Sequence, residues 1–134
     1  MFNNQLTCPH MKVFVVEDSV MVRERLIEMI SEIDGVDVVG EAGSFEAAVS
    51  GILATEPDVA ILDINLSPGN GIEVLAHVKR RLPDLKGIML TNYDTPQHVR
   101  ASAEAGAEYF LDKSVDFERI SEILEQMRGP EKSR

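Results

Sequence analysis

Short apolar runs and helical apolar stripes alternate five times along this chain, and no other feature restricts its fold as strongly. A run that is apolar without alternation suits a strand covered on both faces, whereas apolar residues at three- and four-residue intervals suit one face of a helix. The runs fall at residues 12–17 (KVFVVE), 36–40, 59–63 (VAILD), 87–91 (GIMLT) and 109–111. A helical stripe follows each. The first starts near Ser19, carries Val22, Leu26, Met29, Ile30 and Ile33 on one face, and meets a stop at Gly35. An Ala-rich second helix is expected over 44–55, ended before Pro57, and a third over 71–81 after a turn-rich loop at 64–70 (INLSPGN). Thr95 can cap a fourth, with Pro96 in its first turn and Gly106 beyond its end. The last stripe, 115–128, turns Phe117, Ile120, Ile123, Leu124 and Met127 inward.

Five strand–helix units of this length imply an α/β fold, a five-stranded parallel sheet with helices on both faces, because right-handed crossovers leave few other packings. No GxGxxG turn follows the first strand, so the sequence favours the flavodoxin-like (βα)5 strand order 2-1-3-4-5 over a dinucleotide-binding order. The functional crevice is then expected at the C-terminal ends of the strands, where strands 1 and 3 diverge. A length of 134 residues leaves room for one such domain, expected over 11–128, with an N-terminal extension at 1–10 and a tail at 129–134.

Composition removes several function classes. Cys8 is the single cysteine, which excludes an internal disulfide and a thiol metal cluster. Thirteen basic residues against 23 acidic ones give a net charge of −10, the opposite of a nucleic-acid footprint, so direct nucleic-acid binding is not expected. Between Arg25 and Lys79 there are ten acidic residues and no Lys or Arg. The basic run Lys79, Arg80, Arg81 is expected to complement the C-terminal dipole of the third helix. No apolar run approaches the roughly 18 residues of a membrane span, and the N-terminus lacks the order of a signal peptide, so a cytoplasmic, membrane-free protein is expected.

The strand ends carry the chemistry. Glu17 and Asp18 follow strand 1, Asp63 ends strand 3, Thr91 ends strand 4 and Lys113 follows strand 5. Each alone has an ordinary role as a cap, a turn former or a surface group. Together they would line one crevice. Carboxylates brought into contact repel by roughly 4 kcal/mol per close pair at an effective dielectric near 20, so they require a cation. An oxygen-lined site with few protein ligands suits Mg2+, which keeps waters and accepts phosphate oxygens. Lys113 and the Thr91 hydroxyl add a positive charge and a donor opposite, as a transferring phosphoryl group requires. Asp63, on the central buried strand, is the expected nucleophile.

The segments VVEDS, ILDINL, MLTN and YFLDK resemble the signature segments of bacterial two-component response-regulator receiver domains, and the resemblance covers about residues 11–128. It implies a phosphorelay protein that is not an enzyme beyond its own phosphorylation and dephosphorylation. Asp63 would accept phosphate from a sensor histidine kinase or a histidine phosphotransferase. Asp18, Asp63 and the backbone carbonyl of Asn65 would bind Mg2+, with Glu17 assisting. Thr91 would be the switch hydroxyl, Lys113 the phosphate-contacting lysine and Phe110 a switch aromatic. Tyr109 beside it would face the other way, so one of the pair would point out. The face formed by the fourth helix, fifth strand and fifth helix would bind partners or a second copy, and Val20 and Met21 would help dock the kinase. Output would run through a downstream protein or an effector domain missing from this chain.

Two residues depart from the pattern. Ser114 follows Lys113 where proline is usual, and Asn92 follows Thr91 where a small residue is common, narrowing access to the phosphoryl group. An aspartate-nucleophile phosphohydrolase would combine similar residues, but Asp63-Ile64-Asn65 lacks its second aspartate. A pseudo-receiver would not be expected to keep Asp63, Thr91 and Lys113 together.

Overall fold

The computed structural model describes residues 10–66, 68–92, 95–114 and 116–129. Along them run β1 (Met11–Val16), α1 (Val20–Ser31), β2 (Val36–Ala42), α2 (Phe45–Thr55), β3 (Val59–Asp63), α3 (Gly71–Lys79), β4 (Lys86–Thr91), α4 (Pro96–Glu104), β5 (Ala107–Asp112) and α5 (Arg119–Arg128). The strands form one parallel sheet in the order β2-β1-β3-β4-β5, as the sequence implied. No helix among the described residues is long and apolar enough to cross a membrane.

Why the central runs do not alternate in polarity is visible in the two cores. Val13 and Val15 of β1, Val59 and Ile61 of β3, and Ile88 and Leu90 of β4 pack on one face with Leu26 and Ile30 of α1 and Ile120, Ile123 and Leu124 of α5. Their neighbours Phe14, Val16, Ala60, Leu62 and Met89 pack on the other face with Ala48 and Ile52 of α2 and Val74, Leu75 and Val78 of α3. Because side chains alternate across a strand, a one-residue slip in β3 would exchange its whole contribution between these cores. The register is therefore set, and with it the position of Asp63 at the strand's end.

Several local expectations are refined. Ser19, Ser44, Asn70 and Thr95 stand outside their helices as N-caps, each side chain accepting the backbone N–H three residues on. Helix α1 ends at Ser31 with Glu32 as its C-cap, so Gly35 serves the turn before β2 instead of stopping the helix. Strand β2 reaches Ala42 and β5 spans Ala107–Asp112, both longer than their apolar runs, because the neighbouring β1 and β4 supply ladder partners to polar residues as readily as to apolar ones. Helix α5 begins at Arg119; Phe117 is buried from the turn ahead of it, and Val115 lies outside the described residues. Of the basic run, Lys79 lies in the last turn of α3 as expected, together with His77. Lys79 reaches across to donate to the Gly106 carbonyl at 3.0 Å and lies 3.6 Å from Glu108, while Arg80 and Arg81 fall beyond the helix.

Helix α3 approaches β3 unusually closely at its start. A Cβ on Gly71 would stand 2.2 Å from the Asp63 carbonyl oxygen and 3.3 Å from Leu62 Cβ. The atom it meets is backbone and cannot step aside. Gly71→Ala is expected to destabilise the protein by about 1–3 kcal/mol, the range for overpacking, against about 1 kcal/mol for removing the Ser44 cap as Ser44→Ala. Urea unfolding midpoints of the two variants check this.

Candidate functional site

The C-terminal ends of the strands bring most of the predicted residues to one crevice; Thr91, expected on its wall, is instead buried behind it at the end of β4. The crevice has a volume of about 420 Å3, and its walls include Glu17, Asp18, Asp63, Asn65, Asn92 and Lys113. Asp63 closes β3 at 2% exposure and Glu17 follows β1 at 1%, whereas Asp18 is exposed at the rim. Oxygen atoms of these three carboxylates all lie within 4.8 Å of one another.

Backbone and side-chain hydrogen bonds fix each group. The Glu17 amide donates to the Ala42 carbonyl at 3.0 Å, extending the β1–β2 ladder by one residue. Its Oε2 accepts the Ser19 N–H at 3.1 Å, while the Ser19 hydroxyl caps α1 by accepting the Val22 N–H at 3.3 Å. Asp63 Oδ1 accepts the Asn65 N–H at 3.0 Å, which turns the chain sharply after β3. The chain then crosses back through an isolated bridge between Asn65 and Asn70, and Asn70 caps α3.

Lys113 ties the strand ends together. Its Nζ donates to Asp63 Oδ2 at 3.0 Å and lies 2.8 Å from Glu17 Oε1. Burial pulls the Lys113 amine down, but the hydrogen bonds and charges of Glu17 and Asp63 outweigh it, leaving the pKa raised above the ordinary lysine value. The amine is thus held in its charged form. Burial pushes the Glu17 carboxyl upward, the charge of Asp63 adds to this, and Lys113 and the Ser19 N–H oppose it, with a net upward shift. The pattern is that of carboxylates collected more densely than one amine neutralises. A set of hard oxygen donors at this spacing fits Mg2+, whose remaining positions water or phosphate oxygens fill. The acidic cluster of Glu17, Asp18 and Asp63 is therefore a candidate cation site, with Asn65 on the same crevice wall.

The other expected residues occupy distinct places. Thr91 is fully buried at the end of β4, and its carbonyl accepts the Lys113 N–H at 2.8 Å, so the hydroxyl-bearing residue and the lysine share a backbone bond. Phe110 is half-buried against the α2–α3 core, and Tyr109 packs on the opposite core. Both rings are thus partly covered, on opposite faces of β5, instead of one pointing out as expected. Ser114 has a local physical role that proline could not fill: its N–H and hydroxyl both donate to Asp112 Oδ1, at 2.8 and 2.6 Å. Asp116 Oδ2 accepts the Asp112 N–H at 3.1 Å and completes the turn.

Sequence reasoning passed over two arginines on α1. Arg23 donates to the Glu17 carbonyl at 2.6 Å, and the Arg25 guanidinium lies 4.4 Å above the Phe117 ring at the crevice wall. Their spacing from Glu17 and Asp18 on the first helix was the available signal.

Comparison with known proteins agrees with this geometry. Residues 13–125 match the family model of the response regulator receiver domain. The chain is 39% identical over 104 residues to the DNA-binding transcriptional activator DevR/DosR of Mycobacterium tuberculosis, covering 78% of this chain and 48% of that protein. It is 30% identical over 113 residues to the response regulator protein VraR of Staphylococcus saprophyticus, covering 84% of this chain and 54% of that one. The chain thus spans about half the length of the curated relatives it matches. Among solved structures, the signal receiver domain of the putative response regulator NarL from Mycobacterium tuberculosis superposes with a TM-score of 0.80 at 31% identity, covering 91% of this chain and 99% of that one. The response regulator domain of Thermotoga maritima CheB superposes with a TM-score of 0.76 at 28% identity, covering 89% and 94% of the two chains. With the strand order, the acidic crevice and the lysine beside it in place, the chain belongs to the response regulator receiver domain family.

Proposed function

We propose that Asp63 is the phosphoacceptor of a two-component phosphorelay, charged by a phosphohistidine on a sensor histidine kinase or histidine phosphotransferase. The observation that carries this reading is the buried Asp63 carboxylate, 3.0 Å from the Lys113 amine and grouped within 4.8 Å with Glu17 and Asp18. In the transfer, a carboxylate oxygen of Asp63 attacks phosphorus, the phosphorus–nitrogen bond of the donor breaks, and the imidazole leaves with the electron pair. Asp18 and Asp63, the Asn65 carbonyl and, in an assisting place, Glu17 would hold Mg2+. Bound there, the ion supplies the positive charge that lets an anionic phosphoryl group approach three carboxylates.

Lys113 then has two alternative anions. Before transfer it pairs with Asp63 and Glu17; afterwards a phosphoryl oxygen competes for the same amine. Thr91 is bonded to Lys113 through the backbone, so drawing its hydroxyl toward the phosphoryl group would shift the end of β4 against β5. Phe110 on β5 and helix α4 are the elements that such a shift would repack, which makes the α4-β5-α5 face the output surface. Val99 is 44% exposed on α4 and offers an apolar contact there, for a downstream partner or a second copy. Asn92 on the crevice wall would restrict access to the phosphoryl group. The unit carrying these functions is taken as residues 11–128, with any effector domain outside this chain, and a cytoplasmic setting suits a kinase-fed relay.

Asp63→Asn is expected to abolish covalent labelling by acetyl phosphate or a phosphohistidine donor in the presence of Mg2+, measured by intact-protein mass spectrometry; labelling at the parent level would remove Asp63 as nucleophile. Lys113→Ala is expected to keep Mg2+ binding yet lose the structural response to a phosphoryl mimic. An unchanged α4–β5 response in amide chemical shifts would contradict that role. Val20 and Met21, 55% and 80% exposed on α1, supply a docking surface for a kinase helical bundle. Replacing both with glutamate is expected to slow transfer from the kinase while labelling by acetyl phosphate stays at the parent rate, and equal loss of both would indicate misfolding instead.

A further inference from the structure

Arg23 lies on α1, outside the crevice walls, with its side chain 18% exposed. Its guanidinium is used in two directions. Nη1 donates to the backbone carbonyl of Glu17 at 2.6 Å, and Nε donates to Glu41 Oε1 on β2 at 2.8 Å. The Glu17 amide is already bonded to Ala42, so both backbone polar groups of Glu17 are held, one directly by β2 and one through Arg23. The space the guanidinium occupies depends on a glycine. A Cβ on Gly43 would stand 2.8 Å from Arg23 Nη1 and 3.6 Å from the Glu17 carbonyl oxygen.

This arrangement answers a physical problem posed by the site. Glu17 and Asp18 sit on the short link between β1 and α1, and their carboxylates face Asp63 at a spacing that mutual repulsion opposes. Lys113 restrains the Glu17 side chain but makes no bond to the backbone of that link. A planar fork gripping the carbonyl on one side and a carboxylate of the adjacent strand on the other restrains the link itself, which a flexible point charge would do less well.

We propose that Arg23 is a positioning residue for the cation site: by joining the Glu17 carbonyl to Glu41 it holds the Glu17 and Asp18 carboxylates at the spacing a divalent ion needs. This rests on the phosphoacceptor reading given above. Arg23 touches no reacting atom. Its influence passes through the backbone that carries the ligands, as for the outer partners of metal-ligating groups, whose loss weakens metal affinity roughly tenfold or more.

The test uses the full chain and Mg2+ alone as probe. Arg23→Ala is expected to weaken Mg2+ binding roughly tenfold by isothermal calorimetry. In the metal-free protein the same variant is expected to speed amide exchange at residues 17–19. Labelling by acetyl phosphate at saturating Mg2+ should return to the parent rate, so that the Mg2+ requirement moves and the saturated rate does not. Arg23→Lys keeps the charge and a donor but not the fork, and is expected to fall between parent and alanine variant. Gly43→Ala displaces the guanidinium while leaving Arg23 present, and is expected to reproduce the weaker Mg2+ binding even where Arg23→Ala folds poorly. Parent-level Mg2+ affinity in both Arg23→Ala and Gly43→Ala overturns the proposal and leaves the phosphoacceptor reading intact. A loss of Mg2+ affinity that tracks melting temperature across all the variants, with no advantage for lysine, also overturns it by showing a merely structural part. Absence of Mg2+ binding and labelling in the parent chain would instead overturn the phosphoacceptor reading, and this proposal with it.

Discussion

Two carboxylates buried beside each other are stable in this fold because one lysine amine stands between them, and the rest of the architecture serves to deliver that amine. Glu17 follows β1, Asp63 ends β3, and Lys113 comes from beyond β5, two strands away from β3. Leaving either carboxylate charged and unpaired in the interior would cost several kcal/mol. The lysine crosses the end of the intervening β4, where its own amide is fastened to the Thr91 carbonyl. Charge neutralisation at the site therefore requires that β1, β3, β4 and β5 all end at the same level. A sheet with a different order or a slipped register would strand the acids without a partner.

That level is fixed from below by two-sided burial. Every residue of β3 is buried, with alternate residues committed to opposite cores, so hydrophobic packing alone prevents it from sliding. Glycine at position 71 then lets α3 begin against the backbone of Asp63 itself. Asp63's strand is thus clamped by packing on both faces, while Glu17 on the β1–α1 link is held by hydrogen bonds, among them the Arg23 fork. The α4–β5 side is built otherwise: among the described residues of α4 only Ser102 is buried, and both aromatic residues of β5 are half-covered. If Asp63 takes phosphate as proposed, a firmly packed β3 beside a lightly packed α4–β5 side would let a small change at Thr91 and Lys113 be felt at a distance.

Much of this was legible in the sequence. The two-sided runs VAILD and GIMLT announce buried parallel strands, Ser19, Ser44 and Thr95 mark helix starts, and an acidic or hydroxyl residue at several strand ends locates the crevice. Less legible were the edges of the sheet. Strands β2 and β5 outrun their apolar segments because ladder hydrogen bonds come from the neighbouring strand and do not depend on side-chain polarity. Periodicity likewise carried α5 back to 115, though its first helical residue is Arg119, since Phe117 is buried from a turn held by Asp112 and Asp116.

The amino-acid sequence by itself determined the fold class, the order of elements and the identity of the chemical groups, because periodicity, caps and strand-end residues are local properties of the chain. Only the tertiary structure decided how those groups are shared: that Lys113 serves Glu17 as well as Asp63, that Lys79 reaches from the end of its helix to the Gly106 carbonyl, and that Arg23 spans α1 and β2 over a glycine. Each of these joins residues far apart in the chain through side chains several bonds long. Their partners are chosen by which backbone atoms and charges the packed sheet brings within reach, and that is a property of the assembled molecule.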